Sequence, residues 1–156
     1  MCVQPAYVMP SIRASANGLR EQFSIRAVFI GSNDADYQHL RCIFRMMKWK
    51  LARVPALRPA LRKATIEGTT HFFYKHVAGD NRGWIEALNA VRSLPHMPAF
   101  ILTSRLADEQ LWAEVLNRGG YDLLIQPYDS MEVTRVVEAA RRHSLQQNVA
   151  LSALAG

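Results

Sequence analysis

Short apolar runs alternate with amphipathic stretches over most of this chain. The apolar runs are rich in Val, Ile, Leu and Phe and are bounded by turn-forming residues, as is typical of buried strands. The stretches between them carry apolar residues every three or four positions, which indicates helices with one buried face. The pattern predicts five strands separated by helices, with the strands over residues 24–31, 50–54, 70–77, 98–104 and 121–126.

The segment from Pro98 to Asp129 shows this alternation most clearly. Its first apolar run ends in two hydroxyl residues, a helix-like stretch follows from Asp108 to Arg118, and a second apolar run ends at Pro127. This order is typical of a parallel strand, helix, strand unit. Because helices must cover both faces of a parallel sheet, the sequence predicts a doubly wound, flavodoxin-like α/β fold. Its five-stranded parallel sheet would have the order 2-1-3-4-5, with the short, polar run 50–54 at an edge.

The first helix illustrates how the buried faces are predicted. Leu40, Ile43, Phe44 and Met47 recur at steps of three and four, so all four are expected to face the core. Cys42 lies among them and is expected to be a small buried thiol.

Single residues predict several helix ends. Asp108 is expected to cap the fourth helix, and Gly68 and Gly119 are expected to end helices in a left-handed conformation. Pro59 fits a helix only within its first turn. In the fourth helix, Leu111 and Val115 are expected to be buried, with Trp112 or Leu116 beside them; Trp112 could be either core or interface anchor.

The length of 156 residues predicts one domain, over residues 23–143, with short extensions. Residues 1–22 contain few acids and are expected to form a flexible leader, and residues 144–156 are expected to be helical or disordered. No apolar run is long enough to span a membrane, and the amino terminus lacks the pattern of a secretion signal. With only Cys2 and Cys42, the composition is compatible with a reducing cytoplasm.

The formal net charge of +6 is concentrated in one part of the chain. This cluster lacks an aromatic stacking series, a phosphate-binding glycine loop and a recognition helix, so a solvated basic face is favoured over a nucleic-acid site. Its members are Arg41, Arg45, Lys48, Lys50, Arg53, Arg58, Arg62 and Lys63.

Three motifs make the chain resemble a known family. The motifs RGWIEAL, PAFILTS and GGYDLLIQPYD occur, in this order along the chain, with the spacing of the CheY-like receiver domain of two-component response regulators. The resemblance covers roughly residues 25–142. The resemblance implies the fold described above and a site for a phosphoryl group at the carboxyl ends of the strands. In the family, two acids after the first strand and an aspartate at the end of the third hold Mg²⁺, and that aspartate accepts the phosphoryl group. A hydroxyl residue after the fourth strand and a lysine after the fifth complete the site.

This sequence departs from that pattern at nearly every position. The acidic pair falls on Gly31 and Ser32, followed by Asn33, and the acceptor falls on His76 or on Lys75. Only the hydroxyl residue is retained. The degenerate acceptor pocket therefore comprises Gly31, Ser32, Asn33, Lys75, His76, Thr103 and, in place of the lysine, Gln126.

Two further positions of the resemblance lie near the fifth strand. Leu123 stands where the family carries its switch aromatic residue. Pro127 is retained, and the family's bond before this proline is typically cis, so a cis peptide is expected between Gln126 and Pro127.

Two alternative uses of the pocket are open. Asp34 and Asp80 could act with His76 as displaced metal ligands, but carboxylates in such loops more often cap helices and turns. His76 could accept a phosphoryl group on nitrogen. A closed polar cluster is favoured instead, in which His76 or Lys75 forms hydrogen bonds with Ser32, Asn33 and Thr103. The sequence thus predicts no metal, no cofactor and no catalytic residue.

The function expected from these observations is a degenerate receiver domain that signals without phosphorylation, through protein–protein interaction. The family's output face predicts an interface that includes Trp112, Glu109, Asn117 and Arg118, with a homodimer as one form of it. Two alternatives are a conventional phosphorelay receiver with a displaced acceptor and a flavodoxin-like ligand-binding protein. An enzyme is not expected, because no nucleophile lies at a readable spacing from a base.

Overall fold

Five strands and five helices alternate in the computed structural model, which describes residues 24–155. The expected leader of residues 1–22 lies outside the described residues. The strands are β1 (Arg26–Ile30), β2 (Lys50–Val54), β3 (His71–His76), β4 (Ala99–Ser104) and β5 (Asp122–Ile125). The helices are α1 (Ala35–Met46), α2 (Leu57–Glu67), α3 (Gly83–Arg92), α4 (Glu109–Asn117) and α5 (Ser130–Ala155).

The strands form one parallel sheet in the order β2-β1-β3-β4-β5, which confirms the predicted fold class and strand order. The apolar residues on one face of the sheet pack with α1 and α5, and those on the other face pack with α2, α3 and α4. Both faces are therefore covered, as a parallel sheet requires. The polar strand β2 lies at an edge, as expected.

The predicted helix ends are confirmed at several residues. The Asp108 carboxylate accepts a hydrogen bond from the Leu111 backbone N–H, so Asp108 caps α4. Gly68 and Gly119 follow α2 and α4 with φ of 66° and 95°, a region that glycine enters without steric cost. Pro59 falls in the first turn of α2, where its missing N–H costs no helical hydrogen bond.

Cys42 and Met47, both expected to be buried, lie at the surface, and so does Leu116, which was one of two alternatives for the buried face of α4. Cys42 is exposed, and Met47 and Leu116 are each 37% exposed. In α1 the inward direction is set by Leu40 and Phe44, and a residue two positions from either points away from the sheet. Met47 and Leu116 lie at or near the carboxyl ends of their helices, where contact with the sheet ends; Met47 itself is the residue that follows α1.

Helix α5 continues well beyond the sheet. Its apolar residues Val133, Val136, Val137 and Ala140 are buried, and the described part of the extension that begins at residue 144 is helical. None of the helices within residues 24–155 combines the length and apolar character that crossing a membrane requires.

One buried polar residue was not singled out by the sequence pattern. His71, at the start of β3, is fully buried and donates a hydrogen bond through Nε2 to the Val137 carbonyl at 2.9 Å. Its Nδ1 lies 2.6 Å from Thr70 Oγ1. Burial, together with the charge of Arg141, lowers the pKa of His71 to about 4. The ring therefore connects β3 to α5 as a neutral imidazole.

Candidate functional site

The residues of the predicted pocket lie at the carboxyl ends of the strands. Parallel α/β sheets place their sites at this end, next to the point where the strand order reverses, which is between β1 and β3 here. Gly31 follows β1, Lys75 and His76 end β3, and Gln126 follows β5. Thr103 lies beside Lys75 in the pairing of β3 with β4.

Lys75 occupies the middle of this crevice. Its ammonium group is hydrogen-bonded to the carboxylate of Asp34 and lies 3.7 Å from Asp36 Oδ2. Burial raises the pKa of Asp34, but hydrogen bonds from Lys75, the Tyr37 N–H and the Ser32 hydroxyl outweigh burial and lower that pKa to about 2. Asp34 is thus an ionised partner of Lys75.

A second ion pair adjoins the first. Arg105, just after β4, binds Asp36 through two parallel hydrogen bonds of 2.7 and 3.0 Å. The Asp36 side chain is only 8% exposed, whereas Arg105 is 60% exposed. We call Asp34, Asp36, Lys75 and Arg105 the charge network; its two acids and two bases balance one another. Sequence reasoning missed Asp36 and Arg105, although Arg105 directly follows the predicted fourth strand.

Gly31 leaves no space for the acid that the resemblance requires there. A Cβ on Gly31 would lie 2.9 Å from the Cβ of Lys75 and 2.8 Å from Cε1 of Phe29. These distances are shorter than van der Waals contact. The absence of a side chain at Gly31 therefore allows the stem of Lys75 to cross the end of β1.

The polar residues after Gly31 are exposed. The Ser32 hydroxyl donates to Asp34 Oδ2 at 2.9 Å, and the side-chain Oδ1 of Asn33 accepts from Gln38 Nε2. Both therefore interact within the β1–α1 turn.

His76 points to the other face of the sheet. Its Nδ1 lies 3.0 Å from Ser104 Oγ, and its Nε2 donates to the Asp80 carbonyl at 3.1 Å. The expected cluster of His76 with Ser32, Asn33 and Thr103 is therefore wrong. Successive residues of a strand point to opposite faces, so Lys75 joins the side of α1 and α5 while His76 takes Ser104 as its hydroxyl partner.

The β4 and β5 side of the pocket is closed by an internal polar group. Thr103 Oγ1 donates to the Tyr74 carbonyl at 3.4 Å, and Gln126 Nε2 donates to the Tyr128 hydroxyl at 3.1 Å. Burial raises the pKa of Tyr128 to about 12, although hydrogen bonds with Thr103 and Gln126 partly offset it. The Gln126–Pro127 peptide bond is cis. Thr103, Gln126 and Tyr128 are all buried, so they form part of the core.

The displaced metal site is not assembled. Asp80 accepts hydrogen bonds from the Tyr74 hydroxyl at 3.0 Å and from the Gly83 N–H at 2.7 Å, so it stabilises the turn before α3. Asp34 is bound to Lys75, on the face of the sheet opposite His76. Within residues 24–155, no group of three His, Cys, Asp or Glu side chains is placed to hold a metal ion.

The predicted interface residues divide between the two ends of α4. Trp112 is 48% exposed, so it is not part of the core, and its Nε1 donates to Asp122 Oδ1 at 3.0 Å. Trp112 and Glu109 line an apolar groove of about 290 Å³ between α4 and β5. Asn117 and Arg118 are exposed at the other end of α4, about 12 Å along the helix from Glu109.

Comparisons with known proteins define the fold. No family model matches the sequence, and no curated protein is significantly similar to it. Among solved structures, a CheY-like response regulator receiver domain protein from Methanospirillum hungatei is 14% identical, with 80% of this chain and 98% of that chain covered and a TM-score of 0.65. The signal receiver domain of an HD domain-containing protein from Pseudomonas fluorescens is 18% identical, with coverages of 79% and 98% and a TM-score of 0.66.

The beryllofluoride-activated NtrC4 receiver domain dimer is 12% identical to this chain, with coverages of 76% and 98% and a TM-score of 0.66. These three structures are receiver domains, each covered over nearly its whole length. The sheet order and the placement of the helices agree with this likeness. The chain therefore has the fold of the response regulator receiver domains.

Proposed function

We propose that this chain is a receiver-like signalling module that works without phosphoryl transfer and acts by binding other proteins. The observation that carries the proposal is the position of Lys75, a cation at the end of β3 where the resemblance requires an acceptor carboxylate. An ammonium group cannot accept a phosphoryl group to form an acyl phosphate.

The crevice also does not fit the divalent ion that such chemistry uses. Mg²⁺ requires several oxygen ligands, but the oxygens of Asp34 and Asp36 are already engaged by Lys75 and Arg105. The Coulomb attraction of two unit charges at about 4 Å is on the order of 4 kcal/mol at an effective dielectric constant of 20, before the cost of desolvating the two groups is subtracted. A divalent ion would have to displace both cations against these attractions, and Lys75 would repel it.

A module with this crevice either responds to a ligand other than a phosphoryl group or has no ligand that switches it. A ligand shifts a conformational equilibrium only when it binds one state more tightly than the other. Because the charge network already supplies positive charge from within the chain, we expect one conformation of the crevice to dominate at neutral pH. The output then depends on which partner is bound.

The groove between α4 and β5 is the surface we propose for this output. It is lined by Trp112, Leu123 and Ile125, and Ile125 is 63% exposed. Aromatic residues in partly buried apolar grooves are common anchors of protein interfaces. A second copy of the chain is one partner that this surface could bind.

Phosphoryl acceptance is tested directly by incubating the purified chain with acetyl phosphate and Mg²⁺ and measuring its intact mass. We expect no phosphoryl adduct, while a conventional receiver domain treated in parallel gains one. An adduct that maps to Asp34, Asp36 or Asp80 would instead support a phosphorelay receiver with a displaced acceptor.

A flavodoxin-like ligand-binding protein would carry a small molecule at the same end of the sheet. Absorbance spectra and mass spectrometry of the natively purified chain check for bound flavin or nucleotide. We expect neither, because the turns after β1 and β3 are filled by the charge network and by Asp80. A stoichiometric bound flavin or nucleotide would contradict the proposal.

The interface is tested by sedimentation of the chain and of Trp112→Ala across the micromolar range. Ile66→Ala is a matched control because Ile66 is 83% exposed on α2, away from the groove. We expect Trp112→Ala to weaken self-association or partner capture at least tenfold and Ile66→Ala to have no effect. Equal behaviour of the two variants would remove the groove from the proposal.

A further inference from the structure

The basic charge of the chain lies along one edge of the sheet. Residues 37–66 hold eight of the 19 Lys and Arg residues and none of the 13 acids, so the rest of the chain carries a formal net charge of −2. This segment folds into α1, β2 and most of α2. A field of this kind attracts anionic partners and repels cationic ones.

Helical geometry places two of these cations beside β2. Arg41 and Arg45 are spaced by four residues, so they follow one flank of α1, and Lys48 lies just beyond the carboxyl end of that helix. The opposite flank faces the start of α5, because the ring of His39 packs against Tyr128 with centroids 6.1 Å apart. Arg41 lies about 200° around the helix from His39, which directs this row of cations toward the sheet edge.

Strand β2 adds two more cations at the same edge. Lys50 and Arg53 are exposed, and Arg53 Nη1 donates to the Gly31 carbonyl at 3.2 Å. We call Arg41, Arg45, Lys48, Lys50 and Arg53 the basic edge. No carboxylate among residues 24–155 forms a salt bridge with any of these five side chains.

Within residues 24–155, no strand pairs with the outer side of β2. β2 pairs with β1 on its inner side, where the Lys50 N–H donates to the Ile25 carbonyl at 3.1 Å. Backbone groups alternate in direction along a strand, so the N–H and C=O groups of Leu51 and Arg53 point outward. An open strand edge is a site where an extended peptide can add by main-chain hydrogen bonds.

Charge decides which strand can pair there. A second copy of β2 would bring Lys50 and Arg53 against the same cations, and like charges on neighbouring strands are destabilising. A segment with carboxylates at alternate positions would instead place them beside Arg45, Arg53 and their neighbours. Nucleic acid is less well matched, because the two aromatic residues within 41–53, Phe44 and Trp49, pack edge-on against each other with ring centroids 5.4 Å apart.

We propose that the basic edge binds an extended acidic segment of a partner protein, which adds beside β2 as a sixth strand. The inference deepens the proposed function by naming the chemistry of a partner. The binding surface includes neither the crevice nor the groove at Trp112, so this inference and the proposed function can each be refuted without the other.

The test uses a fluorescent peptide of about ten residues that alternates Glu and Val, with a Gln and Val peptide as its control. We expect the acidic peptide to bind the full chain, and the double variant Arg45→Glu with Arg53→Glu to weaken binding at least tenfold. Arg142→Glu is the matched control because Arg142 is exposed on α5, away from β2, and we expect its affinity to stay within twofold of the unaltered chain.

Two substitutions at Arg53 separate strand addition from charge attraction. Arg53→Gln removes the charge and the side-chain hydrogen bond to the Gly31 carbonyl, whereas Arg53→Pro removes both of these and also the outward N–H, a change that an edge strand tolerates. We expect Arg53→Pro to bind at least fivefold more weakly than Arg53→Gln, with thermal unfolding of both variants confirming that they fold. We also expect the amides of Leu51 and Arg53 to become protected from hydrogen exchange when the peptide is bound.

Equal affinities of the two Arg53 variants would overturn strand addition. The same binding titration is repeated with short duplex DNA, with short single-stranded RNA and with vesicles that contain phosphatidylserine. Tighter binding of any of these than of the acidic peptide would overturn the choice of a protein segment as the partner. Failure of the acidic peptide to bind at low ionic strength would overturn the proposal as a whole.

Discussion

Between pH 6.5 and pH 4, acidification is expected to destabilise this fold through the buried residue His71. The ring is fully buried between β3 and α5, with Nε2 donating to the Val137 carbonyl and Nδ1 next to the Thr70 hydroxyl. A proton added to Nδ1 would place an unsolvated charge in the core, near Arg141. The folded state therefore binds this proton only at a pH near 4.

The sign and size of the effect follow from the two pKa values. In the unfolded chain the pKa of His71 returns to 6.5, while burial holds the folded value at about 4. Between these values the unfolded state binds one more proton than the folded state, so stability is complete above pH 6.5 and falls as the pH decreases toward 4. At about 1.4 kcal/mol per pKa unit, the full loss is about 3 kcal/mol.

Urea unfolding of the chain and of His71→Gln at several pH values from 7.5 to 4.5 measures this loss. We expect the variant to be less stable at pH 7.5, by about 1 to 3 kcal/mol, because the buried hydrogen bonds are altered. We also expect its stability to depend less steeply on pH, by about one proton. His39→Gln is the control for the loss of a histidine, since His39 is exposed on α1.

Two results would refute this reasoning. The first is an identical pH slope for the unaltered chain and His71→Gln. The second is an NMR titration in which the His71 ring protonates near 6.5 in the folded chain, because burial would then have no net effect on its pKa.

Three further predictions concern the site and its surroundings. Lys75→Met is expected to lower the free energy of unfolding by about 1 kcal/mol, measured with urea at pH 7, and to raise the Asp34 pKa from about 2 toward 3.8 in an NMR titration; an unchanged Asp34 pKa would show that Lys75 is not its partner. Gly83→Ala would bring a Cβ within 2.6 Å of the Tyr74 hydroxyl, so we expect the free energy of unfolding, measured by thermal unfolding, to fall by about 1 to 3 kcal/mol. An unchanged melting temperature would contradict the close packing. Trp112→Ala is expected to lower the free energy of unfolding by less than about 1 kcal/mol, because the side chain is 48% exposed. A larger decrease would assign Trp112 to the core.

The elements of this fold could be predicted because their signals are local. The cap of α4 at Asp108 and the stops at Gly68 and Gly119 depend on hydrogen bonds and backbone angles within a few residues. The strands follow from runs of apolar residues, and their parallel order follows from the helices between them. Polar β2 at the edge was predictable for the same reason, since only an edge strand tolerates exposed cations.

The charge network could not be predicted because its members are distant in sequence. Lys75 meets Asp34 from 41 residues away, and Arg105 meets Asp36 from 69 residues away. Sequence reasoning placed Lys75 and His76 as alternatives for one position, because the motif alignment was uncertain by one residue. A shift of one residue in a strand reverses the face, and only the packed sheet decides which side chain enters the crevice.

The sequence alone therefore determined the class of fold and the order of the strands, since these depend on local patterns of apolar and turn-forming residues. The tertiary structure alone decided that Lys75 pairs with Asp34, that His76 binds Ser104 on the opposite face, and that His71 is buried as a neutral ring. Each of these three contacts depends on the register of neighbouring strands or on the docking of a helix. Such relations are set by the packing of the whole domain, so the residues nearby in the chain do not reveal them.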